Sequence, residues 1–304
     1  MKCTHVYQPK GLSTPVNCGQ CHACRVNYTS RWTLRMLYEL SVWDSASFVT
    51  LTYNDENLPN DGGLHLSDFQ KFKDNLRYYS HKRKFKYYEC GEYGDKRKRP
   101  HHHIILYGFD PFNKEDREMV YESWKRCESF FFEPLRPDFA TSKSPIGKGM
   151  LPVCREDIAY VAGYVQKKLT GEKGKEEYGN KRAPFATCSH GIGLDFALQN
   201  EERLKQNKWT YLNGKRIGLP RYFREKLGIT FDGSEFKSQR MYTDEVWNLL
   251  FKQFKETYPW LDPIRDSKQH EKFFNNWYDR KCFDLSVQVE RDYLQRKHMR
   301  YGLE

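Results

Sequence analysis

Between residues 47 and 108 the spacing of apolar positions switches from a strand period to a helix period and back. "SFVTLTYND" (Ser47 to Asp55) is rich in β-branched and aromatic residues and predicts a strand in the interior of a sheet. "LHLSDFQKFKDNLRYYSHK" follows, with Phe69, Phe72, Leu76 and Tyr79 at helical spacing and Ser67 as an N-cap signal. Two further runs, "YYECGEY" (Tyr87 to Tyr93) and the one from His101 to Gly108, read as strands joined by a charged link that Pro100 closes. They predict an antiparallel hairpin, so the order is strand, helix, strand, strand.

Upstream, Tyr28, Trp32, Leu37 and Leu40 predict a helix over roughly Arg25 to Leu40, with Arg31 and Arg35 on another face. Downstream, Ile158, Val161, Val165 and Leu169 form a helical stripe within "CREDIAYVAGYVQKKLTGEKGKEE", and Gly171 and Gly174 are expected to close that helix. Tyr160, Tyr164 and Lys168, at i, i+4 and i+8, form a row on another of its faces. "KWTYLNGKRIGLPRYFREKLG" predicts a hairpin turned at Asn213–Gly214 and then a basic helix. From 235 to 304 aromatics alternate with charge in helical fashion. The organisation expected is a cysteine-rich segment and basic helix over 1–45, a catalytic domain over 46–230 and a helical C-terminal extension over 231–304.

Charge narrows the partners. The 304 residues carry 51 Lys and Arg against 40 Asp and Glu, a net charge of +11 and a pI of about 9.1, with 16% aromatics. Cationic side chains track phosphates and aromatic rings stack on bases, so single-stranded nucleic acid is the expected partner. No stretch is long and apolar enough for a membrane span, and "MKCTHVYQPKGLSTP" lacks the apolar segment of a secretion signal. A soluble protein that stays where it is made is expected, with no membrane partner. Its nine cysteines then read as metal ligands or buried thiols before disulfides.

"GEYGDKRKRPHHHIILYG" concentrates the chemistry. Side chains alternate along a strand, so His101 and His103 share a face about 6.5 to 7 Å apart at their backbones, and His102 faces the other way. With the turn centred near Lys96 or Arg97, Glu92 falls opposite His101 across the hairpin. Two imidazoles and a carboxylate can hold one metal with coordination positions open. Near the N-terminus Cys18, Cys21 and Cys24 follow a C-x-x-C-x-x-C spacing, with Cys3 as a further thiolate and His5 or His22 as alternative fourth ligands. That pattern predicts a small structural zinc knob. An iron–sulfur cluster would use similar spacing, but the run to a fourth Cys and Pro is missing.

These parts fit one reaction. A divalent ion at Glu92, His101 and His103 acts as Lewis acid on a phosphodiester, while a tyrosine phenol, with Lys168 favouring its phenolate, attacks phosphorus in line. The products are a 5′-phosphotyrosine and a free 3′-hydroxyl, and the exchange reverses without ATP.

"FVTLTY", "RPHHHIILYG" and "YVAGYVQKK", in that order, resemble the three motifs of the HUH endonucleases that start rolling-circle replication, U being a hydrophobic residue. The nearest resemblance is to the replication initiators of microviruses of the gokushovirus type, which "CGQCHACRVNYTSRWTLRMLYEL" and "LPRYFREKLG" extend over about residues 1 to 230. It implies an α+β fold with a ferredoxin-like antiparallel sheet flanked by helices, Mg²⁺ or Mn²⁺ as catalytic ion, and nicking at single-stranded or supercoiled origin DNA in the cytoplasm of a host bacterium, with a host replication helicase and polymerase as further partners. It gives His101, His103 and Glu92 the role of ligands and Tyr160 and Tyr164 that of nucleophiles. His102 stands at the hydrophobic position, so His102→Phe is expected to be tolerated. Gly163 stands where related initiators carry a lysine, which leaves Lys167 and Lys168 as assisting cations. Three rivals differ in class: an Fe(II) oxygenase with a facial triad, a non-catalytic zinc-ribbon protein that coats nucleic acid, and a relaxase or transposase of the same chemistry.

Overall fold

The apolar runs around the histidines pair as a hairpin, and a larger sheet forms on both sides of it. A computed structural model describes residues 2–13, 15–127, 149–164, 171–212, 215–230, 244–261 and 267–301. The chain divides into two units, Trp32–Gln199 and Met1–Arg31 with Asn200–Glu304. In chain order the first elements are α1 (His22–Leu40), β1 (Ala46–Leu51), α2 (Leu66–Tyr79), β2 (Lys86–Tyr93), β3 (Pro100–Tyr107) and α3 (Lys114–Trp124). β4 (Met150–Pro152), α4 (Arg155–Tyr164), α5 (Gly171–Tyr178), β5 (Phe185–Cys188) and α6 (Leu194–Gln199) follow.

The first unit is an α+β structure built on a five-stranded antiparallel sheet of order β4-β1-β3-β2-β5. β3, which carries the histidines, is the central strand, and β1 is interior as its composition predicts. The pleat sorts side chains onto two cores. Val49, Leu51, Ile104 and Leu106 pack with Phe69, Phe72 and Leu76 of α2 and with Val120 and Trp124 of α3. Phe48, Tyr88, Cys90, Ile105 and Tyr107 pack with Met36 of α1 and with Ile158, Val161 and Ala162 of α4. Each such buried aliphatic or aromatic side chain contributes about 2 kcal/mol of transfer free energy. Gly108 ends β3 at φ +91, and a Cβ there would lie 2.8 Å from the Trp43 ring.

Three local expectations change. α2 starts one residue earlier than Ser67 implies: His65 is its N-cap and makes no side-chain cap bond, and the buried Asp68 accepts from the Tyr53 hydroxyl. Gly171 and Gly174 do not close a helix; they lie within α5, where Glu172, Lys175, Glu176 and Glu177 favour helix enough to offset about 1 kcal/mol per glycine. Val165 and Leu169 of the expected stripe lie outside the described residues. α1 begins at His22 instead of Arg25, so Cys24 sits in its first turn.

The other unit contains α7 (Glu201–Asn207), β6 (Trp209–Leu212), β7 (Lys215–Gly218), α8 (Arg221–Lys226), α9 (Asp244–Thr257) and α10 (Ser267–Tyr301). β6 and β7 pair antiparallel, with Leu212 opposite Lys215, and the predicted turn residues between them lie outside the described set. Phe254, Leu261, Phe274 and Trp277 form a core among the helices of the C-terminal region. Among the described residues no helix is long and apolar enough to cross a membrane.

Candidate active site

The register of β2 on β3 places Glu92 directly opposite His101. Parity along the strands then brings Glu92, His101 and His103 to the sheet face that α4 covers. His101 Nε2 lies 2.8 Å from Glu92 Oε1 and 3.1 Å from His103 Nε2, and His103 Nε2 lies 3.3 Å from Glu92 Oε1. Three ligands at about 2.1 Å on one face of an octahedral ion are spaced by about 3.0 Å, so the donor triangle has the size a divalent ion requires.

The outer ring nitrogens support the same reading. His101 Nδ1 is 3.2 Å from the Arg99 carbonyl oxygen, which only accepts, so Nδ1 carries the hydrogen and a neutral ring turns the Nε2 lone pair toward Glu92. A lone pair 2.8 Å from a carboxylate oxygen is repulsive unless a cation lies between or beside them. His103 Nδ1 is 3.2 Å from Thr50 Oγ1, its cross-strand partner on β1, and Phe48 stacks on its ring with centroids 5.4 Å apart. Burial holds the His103 ring below the ordinary imidazole value, which keeps it neutral and able to ligate. Burial pushes the Glu92 carboxyl up, but hydrogen bonds with His101 and His103 outweigh it and hold the group below the usual carboxylate range. The residues present therefore fit a divalent metal.

α4 brings the tyrosines to the same place. Ile158, Val161 and Ala162 seat the helix on the sheet, and the i, i+4 spacing turns Tyr160 and Tyr164 together toward His103. The His103 ring is 5.6 Å from that of Tyr160 and 5.3 Å from that of Tyr164, stacked on the latter. The Tyr164 hydroxyl donates to the Tyr160 oxygen. The two differ in access: Tyr160 is 46% exposed and Tyr164 only 6%. Burial pushes the Tyr160 phenol above its ordinary value, and the hydrogen bond from Tyr164 works against that rise. Burial, then the bond it gives to Tyr160, pushes the Tyr164 phenol well above its ordinary value. Lys167 and Lys168, the expected assisting cations, lie outside the described residues.

On the opposite sheet face lies a polar network that strand patterning does not reveal. His102 and Glu89 are both fully buried, with Nδ1 and Oε1 2.8 Å apart, and Thr187 Oγ1 donates to Glu89 at 2.9 Å. Tyr53 donates to Asp68 at 3.0 Å and its hydroxyl lies 3.4 Å from His102 Nε2, and Arg126 pairs with Asp68 at 3.1 Å. The expectation that His102→Phe is tolerated therefore changes, because phenylalanine would leave a buried carboxylate without its ring partner. We expect His102→Phe to cost about 3 kcal/mol of stability, and Glu89→Leu added to it to restore most of that loss, since apolar replacement of a whole buried pair is close to neutral. Thermal melts of the three variants check this; equal melting temperatures for wild type and His102→Phe would contradict it.

Cys3, Cys18, Cys21 and Cys24 also come together, with all four sulfurs within 4.8 Å of one another. Of the alternative ligands, His22 stacks its ring on Tyr293, and His5 groups with Cys21 and Glu290 instead of the other sulfurs.

With this geometry, similarity to known proteins becomes informative. Residues 46–169, which span the sheet through α4, match the replication-associated protein ORF2 family. The chain is 30% identical over 236 residues to replication-associated protein VP4 of Bdellovibrio phage phiMH2K, covering 72% of this chain and 71% of that protein. It is 29% identical over 248 residues to replication-associated protein ORF4 of Chlamydia phage 1, covering 77% of this chain but only 59% of that protein. It is 28% identical over 233 residues to replication-associated protein ORF2 of Spiroplasma virus 4, covering 71% of this chain and 68% of that protein. No solved structure matches the chain. The chain belongs to the family of replication-associated proteins of microviruses that includes these three.

Proposed function

We propose that this protein initiates rolling-circle replication of a small phage genome by nicking and rejoining single-stranded origin DNA through a tyrosine of α4, in an HUH-type palm. One observation carries the reading: two tyrosine hydroxyls meet beside a buried His–His–Glu triangle of metal-ligand size. The element order β1-α2-β2-β3-α3-β4 with strand order β4-β1-β3-β2 supports the ferredoxin-like assignment. The excess of positive charge supports a nucleic-acid substrate in place of the small molecule an oxygenase would take.

A divalent ion held by Glu92, His101 and His103 would supply Lewis acidity toward the non-bridging oxygens of the scissile phosphate. Tyr160, the more exposed tyrosine and the acceptor of the bond from Tyr164, makes the first attack. The Tyr160 oxygen bonds to phosphorus, the bond from phosphorus to the 3′ oxygen breaks, and that oxygen takes up the proton the tyrosine loses. Because one phosphodiester replaces another, the reverse step rejoins DNA without a nucleotide cofactor. Tyr164 accepts the strand in the following transfer. Access thus reverses the expectation that proximity to Lys168 puts Tyr164 first.

Incubation of the full chain with single-stranded origin DNA and Mn²⁺ tests the proposal. A covalent protein–DNA band that survives denaturation, and that EDTA added beforehand prevents, is expected. Tight binding with neither cleavage nor adduct would instead favour a protein that only coats nucleic acid.

A further inference from the structure

The amino-terminal segment has almost no apolar side chains with which to fold. Its buried cluster consists of Cys3, Cys21, Ala23 and Cys24, with Cys18 against it. The sulfurs nonetheless adopt a specific arrangement. Cys3 Sγ lies 3.5 Å from Cys18 Sγ and 3.8 Å from Cys21 Sγ. Four thiolates at about 2.3 Å around one tetrahedral ion are separated by about 3.8 Å. The backbone is folded to receive sulfur charge: Cys18 Sγ accepts from the amides of Gln20 at 3.4 Å and Cys21 at 3.3 Å, and Cys3 Sγ accepts from the amide of Cys18 at 3.3 Å. Gly19 supplies the positive φ, +73, that this turn needs. A multinuclear cluster would hold its thiolates farther apart.

A second set of contacts ties this segment to the long C-terminal helix of the same unit. Lys2 Nζ pairs with Asp279 at 2.6 Å, and the Lys2 amide donates to Ser286 Oγ at 2.9 Å. Glu290 accepts from the Thr4 hydroxyl and, at 3.3 Å, from the His22 amide at the start of α1. Tyr293 stacks on the His22 ring with centroids 4.4 Å apart. Asp279, Ser286, Glu290 and Tyr293 are spaced by seven, four and three residues and so lie along one helix face. Every partner they meet is within two residues of a cluster cysteine.

We propose that Cys3, Cys18, Cys21 and Cys24 bind one zinc ion as a tetrathiolate, and that this ion is the clamp that fixes Lys2, Thr4 and His22 against the Asp279–Tyr293 face of α10. The thiolate–zinc bonds supply folding free energy that the segment cannot obtain from apolar burial. The inference does not depend on the nicking reaction and is tested without it.

The full chain, purified without chelators, should contain one zinc ion, with the four thiols unreactive until zinc is removed. Chelation should raise amide exchange across residues 279–293 by about tenfold or more, because the docked helix is then released. Glu290→Ala should retain the zinc and speed exchange over the same face, and Cys21→Ser should lose the zinc. Should Cys21→Ser fail to fold, chelation of the wild-type chain gives the same comparison. Four free thiols without zinc, a disulfide within the set, or unchanged exchange after zinc removal would each overturn the proposal.

Discussion

Replacing both tyrosines, Tyr160→Phe with Tyr164→Phe, will eliminate the covalent DNA adduct while leaving the fold and the affinity for single-stranded DNA intact. Phenylalanine keeps the rings that pack against His103 and removes only the attacking oxygens. The single substitutions should differ. Tyr160→Phe should slow the first nick by about two orders of magnitude, close to 3 kcal/mol in barrier, since it removes the accessible nucleophile and leaves the buried one. Tyr164→Phe should slow it by only about tenfold, the loss of one hydrogen bond that favours the Tyr160 phenolate. Unit-length circles should fail to form in either single variant, because the second transfer needs the other oxygen. Quenched-flow nicking of labelled origin strands, together with circle formation on a replicating template, measures both. Equal nicking by wild type and the double variant would place the nucleophile elsewhere.

Removing a metal ligand should have an effect as large, with a different signature. His101→Ala or His103→Ala opens one corner of a triangle whose sides are 2.8, 3.1 and 3.3 Å. Nicking in Mn²⁺ should fall by about three orders of magnitude or more, roughly 4 kcal/mol. DNA affinity should change little, because 51 Lys and Arg residues carry the phosphate contacts. Manganese binding followed by calorimetry should weaken in parallel with the rate. A His103→Ala variant that nicks normally would remove the triangle from the mechanism.

These two effects rest on residues that differ in how far the chain pattern reveals them. Glu92 opposite His101 is legible because the strand runs are apolar, the link is charged and closed by Pro100, and counting back from the turn sets the register. The parity that separates His102 from its neighbours is legible for the same reason. What His102 does is not: its partners Glu89, Tyr53, Asp68 and Arg126 come from another strand, a helix and loops, and a polar residue in a strand reads as solvent-facing until packing buries it. The proximity of Tyr160 and Tyr164 follows from helical spacing, but their placement over His103 follows from how Ile158, Val161 and Ala162 seat α4 on the sheet. That seating also makes one phenol accessible and the other buried, which reverses the order of attack inferred from the lysines. Thr50 beside His103 could be found by carrying the hairpin register one strand further to β1. The contacts between the cysteine segment and α10 join residues more than 260 positions apart, and no local pattern encodes them.

Peptide mapping of the covalent complex tests the central claim most directly. The full chain would be trapped on single-stranded origin DNA in Mn²⁺, the DNA digested, and the tryptic peptide from Glu156 to Lys167 fragmented to locate the retained nucleotide. A 5′-phosphonucleotide on Tyr160 in wild type, and on Tyr164 when Tyr160 is phenylalanine, is the result expected. DNA cleaved to a free 5′-phosphate with an unmodified peptide, or an adduct on any residue outside this pair, would contradict it.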